Sequence, residues 1–144
     1  MSDKKYITKV VDNEKIIKPL DFAYIQYKEF LEKYINEKLS SYCINKKIKN
    51  FETLNCFEKT EITKELIQAI NSELEEIKDW LPWKHWKKYN NFKFEQEEIK
   101  YEIIDLLHFV FQLALLWGIE APDELGGYFY KKLKENIRRQ ENGY

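Results

Sequence analysis

The sequence predicts an all-α protein, a compact bundle of about four main helices. Apolar residues recur at three- and four-residue steps over most of the chain after residue 18, which is the helical rather than the alternating pattern. The chain has only three Pro and four Gly in 144 residues, too few for the many tight turns of an all-β protein. With 44% hydrophobic residues it can fill one core. Without an internal repeat or a linker, we expect a single helical domain at 19–144, preceded by a flexible arm at 1–18.

The first predicted helix runs from Leu20 to about Leu39. Pro19 opens it, because the fixed φ of proline suits the first turn of a helix. Its apolar residues recur at helical spacing: Phe22, Ile25, Phe30, Tyr34 and Ile35. Residues 40–59 mix Ser, Asn and Lys, and we expect a loop there with at most a short helix.

The second predicted helix begins at Thr60, which suits an N-cap, with Glu61 favouring the positive end of the helix dipole. Apolar residues continue at helical spacing to Trp80, and Pro82 prevents further helix. Residues 81–94, "LPWKHWKKYNNFKF", have no usable period and predict a connecting loop.

The third predicted helix is the most apolar and runs from about Glu95 to Trp117. Gly118 follows as a C-cap, because glycine readily adopts the left-handed conformation that ends many helices. The segment "APDE" then starts a last helix, which we expect to end near Gln140.

The composition does not favour a nucleic-acid partner, a membrane location or secretion. The chain has 25 acidic and 24 basic residues, so net charge does not favour nucleic acid or an anionic membrane as a partner. The opening "MSDKKYITKV" has no apolar signal-peptide core, and no apolar run reaches the roughly 20 residues of a membrane span. We therefore expect a soluble, cytoplasmic protein in which Cys43 and Cys56 are reduced thiols.

One acid stands inside the most apolar stretch of the chain, "YEIIDLLHFVFQLALLW". A buried carboxylate without a partner is costly, so Asp105 must either face water or meet a positive charge. Glu102, Asp105, His108 and Gln112 follow one another at three- and four-residue steps and form one polar stripe on this helix. Such a stripe is also what the exposed side of an ordinary helix would show.

A second acidic pair, Glu73 and Glu76, flanks the apolar stripe of the preceding helix. An i, i+3 pair can direct two carboxylates to one point, although such pairs also occur by chance in a chain that is 34% charged. If the pairs on the two helices converge, four carboxylates would suit Mg²⁺ or Mn²⁺. Di-iron chemistry is disfavoured, because neither His85 nor His108 follows a Glu by three residues.

Two basic stretches are candidates for phosphate contacts. "WKHWKK" places Lys84, Lys87 and Lys88 among indole rings that can stack on a base. In the terminal "KKLKENIRRQENGY", one helical face carries Lys132, Asn136 and Arg139. Each stretch has an ordinary alternative: a surface loop pinned by aromatic residues, and a solvated basic end of a helix.

Four motifs follow one another along the chain: "E-x-x-E", "WKHWK", "E-x-x-D-x-x-HF" and "K-x-x-x-N-x-x-R-Q-x-x-G-Y". In this order they resemble the motifs of the all-α NTP pyrophosphatases, specifically of the dimeric dUTPases and the phage dCTPase/dUTPase branch. The resemblance implies hydrolysis of dUTP, dCTP or both to the monophosphate and pyrophosphate with Mg²⁺. Because a compact bundle of this size has little interior of its own, we also expect a homodimer whose helices pack across a two-fold axis. The resemblance also implies that the metal ligands are Glu73, Glu76, Glu102 and Asp105, with Glu73 also orienting or deprotonating the attacking water. The residues that it implies for substrate binding are Gln26, Trp83, Lys84, Lys87, His108, Lys132, Asn136, Arg139 and Tyr144.

Leu133 departs from the family pattern, which usually has Asn after the Lys of the last motif. The base preference therefore stays open between uracil, cytosine and a modified pyrimidine. The alternatives are a MazG-like pyrophosphatase for another nucleotide and a helical interaction protein of the same fold without activity. A nucleic-acid-binding module has only the Lys/Trp stretch in its support.

Overall fold

The protein is described by a computed structural model over residues 19–36, 48 and 50–143. Four α-helices follow in chain order: α1 (Pro19–Phe30), α2 (Cys56–Asp79), α3 (Gln96–Leu116) and α4 (Pro122–Glu141). A π-helical segment, Leu31–Ile35, continues α1, and a 3-10 turn, Phe51–Thr53, precedes α2. No strand occurs in these ranges, so the all-α prediction is confirmed. The arm predicted at 1–18 and Cys43 lie outside the described residues.

The packing of α2 along α3 is the most extensive contact between two elements, and the core lies at the C-terminal end of α3. The buried apolar side chains are Tyr24, Leu31, Ile48, Phe51, Leu54, Ile62, Leu66, Phe111, Leu115 and Leu116. On α3 the buried residues all fall between Phe111 and Leu116. The first turns of α3 are therefore available to line a surface site.

Tyr24 fastens α1 to the turn between α3 and α4. Its side chain is buried, its ring meets that of Phe111 edge-on at 4.8 Å, and its hydroxyl donates a 2.7 Å hydrogen bond to the carbonyl oxygen of Ile119. Lys28 pairs with Glu120 beside it. Burial, reinforced by the nearby acids Glu120 and Glu124, raises the pKa of Tyr24 to about 12, so the hydroxyl remains a donor.

Most predicted helix ends agree with the structure. Gly118, with φ of 88°, follows α3 in the left-handed conformation that was predicted for a C-cap. Residues 81–94 form turns and irregular backbone, as predicted. The α-helical part of the first predicted helix ends at Phe30, since the next five residues are π-helical, and residues 37–39 lie outside the described part.

The N-cap prediction at Thr60 is wrong. α2 begins at Cys56, and Asn55 caps it: the Asn55 side chain accepts from the Glu58 amide at 2.9 Å, and the Glu58 carboxylate accepts from the Asn55 amide at 2.9 Å. This reciprocal pair satisfies two amide groups at the helix start. Thr60 lies inside the first turns, where its hydroxyl donates to the Cys56 carbonyl oxygen.

Asn55→Ala should therefore lower the free energy of unfolding by about 1 kcal/mol, the usual effect of losing an N-cap side chain. Thr60→Ala is the matched control and should change it by less than about 0.5 kcal/mol. Urea denaturation followed by circular dichroism measures both. Equal losses for the two variants would contradict the assignment of the cap to Asn55.

The last helix carries a large apolar surface. None of the twenty residues of α4 is buried. Leu125, Phe129, Leu133 and Ile137 follow one another at four-residue steps. Leu125 packs against the core, whereas the other three are exposed, Phe129 to 72%. Within the described ranges, no helix has the length and apolar character needed to cross a membrane.

Candidate active site

Three of the four predicted metal ligands converge in the structure. Glu73 and Glu76 project from α2 and Glu102 from α3, and one oxygen of each lies within 4.8 Å of the others. The indole nitrogen of Trp80 donates to Glu102 Oε1 at 3.2 Å, which holds this carboxylate toward α2. The i, i+3 spacing on α2 and the packing of α2 on α3 together produce this acidic cluster.

Asp105 lies one turn after Glu102 on α3, just outside that group of oxygens. Its side chain is 55% exposed, so the helix turns this acid toward water. Its Oδ1 lies 3.5 Å from Nδ1 of His108. Asp105 also lines the same cavity as Glu73, which places the fourth predicted ligand at the edge of the cluster.

The four carboxylates act on one another electrostatically. Burial raises the pKa of Glu73, and the neighbouring charges of Glu76, Asp105 and Glu102 raise it further. Like charges at this separation favour either a proton or a cation between them. The donors are all carboxylate oxygens, which is the chemistry of a hard divalent cation rather than of a soft metal.

A cavity of about 530 Å³ adjoins the acids. Glu73 and Asp105 contribute the acidic part of its lining, and the remaining walls are mostly aromatic or aliphatic: Tyr27, Phe30, Ile35, His108, Phe109 and Gln112. The rings of Tyr27 and His108 stack at 4.8 Å with an interplanar angle of 20°. Burial raises the pKa of Tyr27 to about 12, so its hydroxyl stays neutral. The volume lies within the range of small-molecule sites.

Comparison with known proteins identifies the family to which this chain belongs. A profile of the family described as dUTPase matches residues 39–123, which is more than half of the chain and includes all four acids. The chain belongs to the dUTPase family. The resemblance found in the sequence is thereby confirmed, although the match ends in the first turn of α4 and does not include the terminal motif.

Two curated relatives of this dUTPase-family chain are phage proteins. A dCTP pyrophosphatase of Enterobacteria phage T4 is 42% identical over 50 residues, covering 35% of this chain and 29% of the relative. A dCTP pyrophosphatase of Enterobacteria phage LZ5 is 34% identical over 95 residues, covering 57% and 54%. The matched part thus spans about half of one relative and less of the other. No solved structure matches the chain.

The Lys/Trp loop lies outside the cavity of the dUTPase-family chain. Lys78 and Lys84 place their ammonium groups 4.5 and 5.3 Å from the centre of the Trp83 ring. Trp83 in turn meets Trp86 edge-on at 5.7 Å. The cavity lining includes neither Trp83, Lys84 nor Lys87. The ring of Trp83 therefore contacts one cation of its own loop, Lys84, and one cation of α2, Lys78.

The two predicted phosphate-binding cations of α4 pair with a glutamate on their own helix. Lys132 donates to Glu135 at 2.7 Å, and Arg139 forms an ion pair with the other oxygen of the same carboxylate. The hydrogen bond from Lys132 and the charge of Arg139 lower the pKa of Glu135. Neither cation nor Asn136 lines the cavity, and Tyr144 lies outside the described residues.

Gln26 is the one predicted contact on α1, and the structure does not bring it to the cavity. Its Nε2 donates to Glu29 at 3.2 Å, and it lines a separate shallow depression. His108, by contrast, is part of the cavity wall, where substrate contact was predicted.

Sequence reasoning missed four residues of this region: Tyr27, Phe30, Trp80 and Gln112. Gln112 was already part of the predicted polar stripe, one step beyond His108, but no role in the site was assigned to it. For Tyr27 and Phe30, nothing in the neighbouring sequence distinguishes an aromatic residue that lines a cavity from one that is buried in the core. Only the packing of α1 near α3 shows their role.

Proposed function

We propose that this chain is a nucleoside triphosphate pyrophosphohydrolase that hydrolyses dUTP, dCTP or both to the monophosphate and pyrophosphate. One observation carries the proposal: carboxylates from two helices meet at an aromatic-lined cavity large enough for a nucleoside. Membership of the dUTPase family supports it, as do relatives named dCTP pyrophosphatase.

Glu73, Glu76, Glu102 and Asp105 would hold Mg²⁺, with Mn²⁺ as the alternative ion. Such an ion, when bound, polarises phosphate oxygens and lowers the pKa of water. The donor set fits a hard cation, because it contains only carboxylates and their mutual repulsion is relieved by a positive charge. Trp80 would keep Glu102 oriented through its hydrogen bond.

Glu73 is proposed as the general base that accepts a proton from the attacking water. It is the one acid of the cluster that the structure both groups with Glu76 and Glu102 and places on the cavity wall. A raised pKa makes its carboxylate a better proton acceptor, which is the direction that a general base requires.

The aromatic walls would bind the base. The planes of Tyr27, His108 and Phe109 offer flat apolar surface, and stacking there would exclude water from one side of the substrate. Contacts of Trp83, Lys84, Lys87, Lys132, Asn136, Arg139, Gln26 and Tyr144 with substrate stay a prediction from the family resemblance. A bidentate contact of Arg139 with phosphate would require it to leave Glu135.

We also propose that the protein is a homodimer. The support is the exposed apolar stripe of α4, together with exposed Tyr101, Ile103 and Ile104 at the start of α3. Sedimentation equilibrium distinguishes a chain of 17.6 kDa from its dimer. We expect neither a membrane nor a nucleic acid as partner, given the near balance of charge, and a cytoplasmic location where nucleotide substrates would be met.

The activity is tested by measuring pyrophosphate released from dUTP, dCTP, dTTP and dATP, each with Mg²⁺ and with EDTA. The expected result is release from dUTP or dCTP that requires the ion. Release that persists in EDTA would contradict the metal assignment. No release from any of the four would contradict the proposed reaction and favour the interaction protein without activity.

A further inference from the structure

The side chain of Gln112 is buried, and its amide nitrogen has no hydrogen-bond partner among the described residues. Its side chain is 2% exposed, and among the described residues only Asn36 is another polar residue buried to this degree. Its Nε2 has no partner in the described part of the chain. Burying an amide N–H in this way destabilises a fold, and a hydrophobic side chain would avoid the penalty. Such a group is explained if a ligand supplies the missing acceptor.

The position of Gln112 points to which ligand. It lines the aromatic cavity together with Tyr27, Phe30 and Phe109. It also follows Asp105 by seven residues on the same face of α3, a rise of about 10 Å along the helix axis. That separation places the amide on the side of the cavity away from the acids. A nucleotide whose phosphates lie at the acids and whose base lies among the aromatic rings would direct the far edge of its base at Gln112.

We propose that Gln112 is the residue that recognises the pyrimidine edge, through two hydrogen bonds from its carboxamide. The inference deepens the proposed function and rests on it for the orientation of the nucleotide. With uracil, Nε2 donates to O4 and Oε1 accepts from N3–H. With cytosine, the amide rotates by 180°, so that Oε1 accepts from the N4 amino group and Nε2 donates to N3.

The absence of a partner for Nε2 is what makes both arrangements accessible. Where a protein group fixes an amide, one orientation is selected, and one base is preferred. No described residue holds the Gln112 amide in this way, so the cavity accepts either base edge at similar cost. The preference for uracil or cytosine, which the sequence leaves open because Leu133 departs from the family pattern, is thereby assigned to Gln112 on α3.

Binding of dUMP and dCMP in the presence of Mg²⁺, measured by isothermal titration calorimetry, tests the inference independently of turnover. Gln112→Leu keeps a similar volume and removes both hydrogen bonds. It should weaken binding of both nucleotides by about 10- to 100-fold, the range expected for a bidentate amide contact with a base. Gln68→Leu, an exposed amide on α2, is the matched control and should bind as the wild type does.

A third ligand separates base recognition from a structural role. The monophosphate of 2-pyrimidinone deoxyriboside lacks the substituent at position 4 of the base. Gln112→Leu should therefore lower the affinity of the protein for this ligand much less than its affinity for dUMP and dCMP. Equal losses for all three ligands, or wild-type affinity of Gln112→Leu for dUMP and dCMP, would overturn the inference. Failure of the wild type to bind either nucleotide would overturn it as well. Binding without pyrophosphate release from the triphosphates would instead contradict the proposed reaction and leave the role of Gln112 supported.

Discussion

Glu73→Gln is expected to lower kcat for dUTP or dCTP hydrolysis by about 10²- to 10⁴-fold, the contribution of a positioned general base. The substitution keeps the shape of the side chain and removes the group that would accept the proton from water. Measurement of pyrophosphate release with Mg²⁺ gives the result. Glu75→Gln is the matched control, because Glu75 lies on the same helix, is exposed and pairs with Lys78 outside the acidic cluster. Equal losses in the two variants would contradict the role of Glu73.

The same variant should not lose stability, which separates lost chemistry from lost fold. Because the pKa of Glu73 is raised in the folded protein, the native state binds protons more readily than the unfolded state. Stability of the metal-free protein therefore falls as pH rises through this pKa and returns as pH falls. In EDTA at pH 7, Glu73→Gln should melt at the wild-type temperature or slightly higher, since one of four repelling charges is gone.

Calorimetry from pH 7 to pH 5 checks the sign. The difference in melting temperature between the wild type and Glu73→Gln should shrink as pH falls, because the wild-type carboxyl becomes neutral. Addition of Mg²⁺ should raise the melting temperature of the wild type more than that of the variant. A lower melting temperature of Glu73→Gln in EDTA would mean that Glu73 stabilises the fold rather than serving the site.

Tyr24→Ala should lower the free energy of unfolding by about 3–5 kcal/mol, the usual range for truncating a buried aromatic residue. The variant removes the edge-on contact with Phe111 and the hydrogen bond to Ile119, and leaves a cavity between α1 and α3. Tyr24→Phe removes the hydroxyl alone and should cost about 1 kcal/mol. Urea denaturation measures both variants.

The contrast between the two Tyr24 variants isolates packing from hydrogen bonding. The ring of Phe111 lies 4.8 Å from that of Tyr24 and 6.4 Å from that of Tyr27, so Phe111 connects Tyr24 to a residue of the cavity wall. Tyr24→Phe keeps that wall and should retain wild-type kcat/KM. A loss of the same size in Tyr24→Phe as in Tyr24→Ala would show that the hydroxyl, not the ring, holds α1 in place.

Local sequence patterns determined the positions of the helices and some of their ends, which depend on interactions between residues close together in the chain. Apolar spacing placed the body of α2 and α3, and Gly118 marked the end of α3, because glycine adopts without steric cost the left-handed conformation that ends many helices. Thr60 was a misleading cap, because Ser, Thr, Asn and Asp all suit the position. Asn55 has Glu58 three residues later, and only that pair can satisfy two amides at once.

The acids of the candidate site were also predicted from the sequence, because i, i+3 spacing fixes which side chains share a face of a helix. That Glu102 of α3 lies against Glu73 and Glu76 of α2 follows only from the packing of the two helices. The same holds for the cavity. Tyr27 and Phe30 come from α1 and Gln112 from the buried end of α3, and no spacing along the chain relates them.

The sequence by itself thus determined the helices and the spacing of the acids, which depend on neighbours along the chain. It also carried the motifs by which the family was identified. Tertiary structure alone decided the rest: that the Asp105 side chain faces water at the edge of the cluster, and that Gln112 is buried with no partner for its Nε2 among the described residues. Burial and the pairing of distant side chains depend on how helices pack. Packing energy is shared among many contacts that no short segment contains.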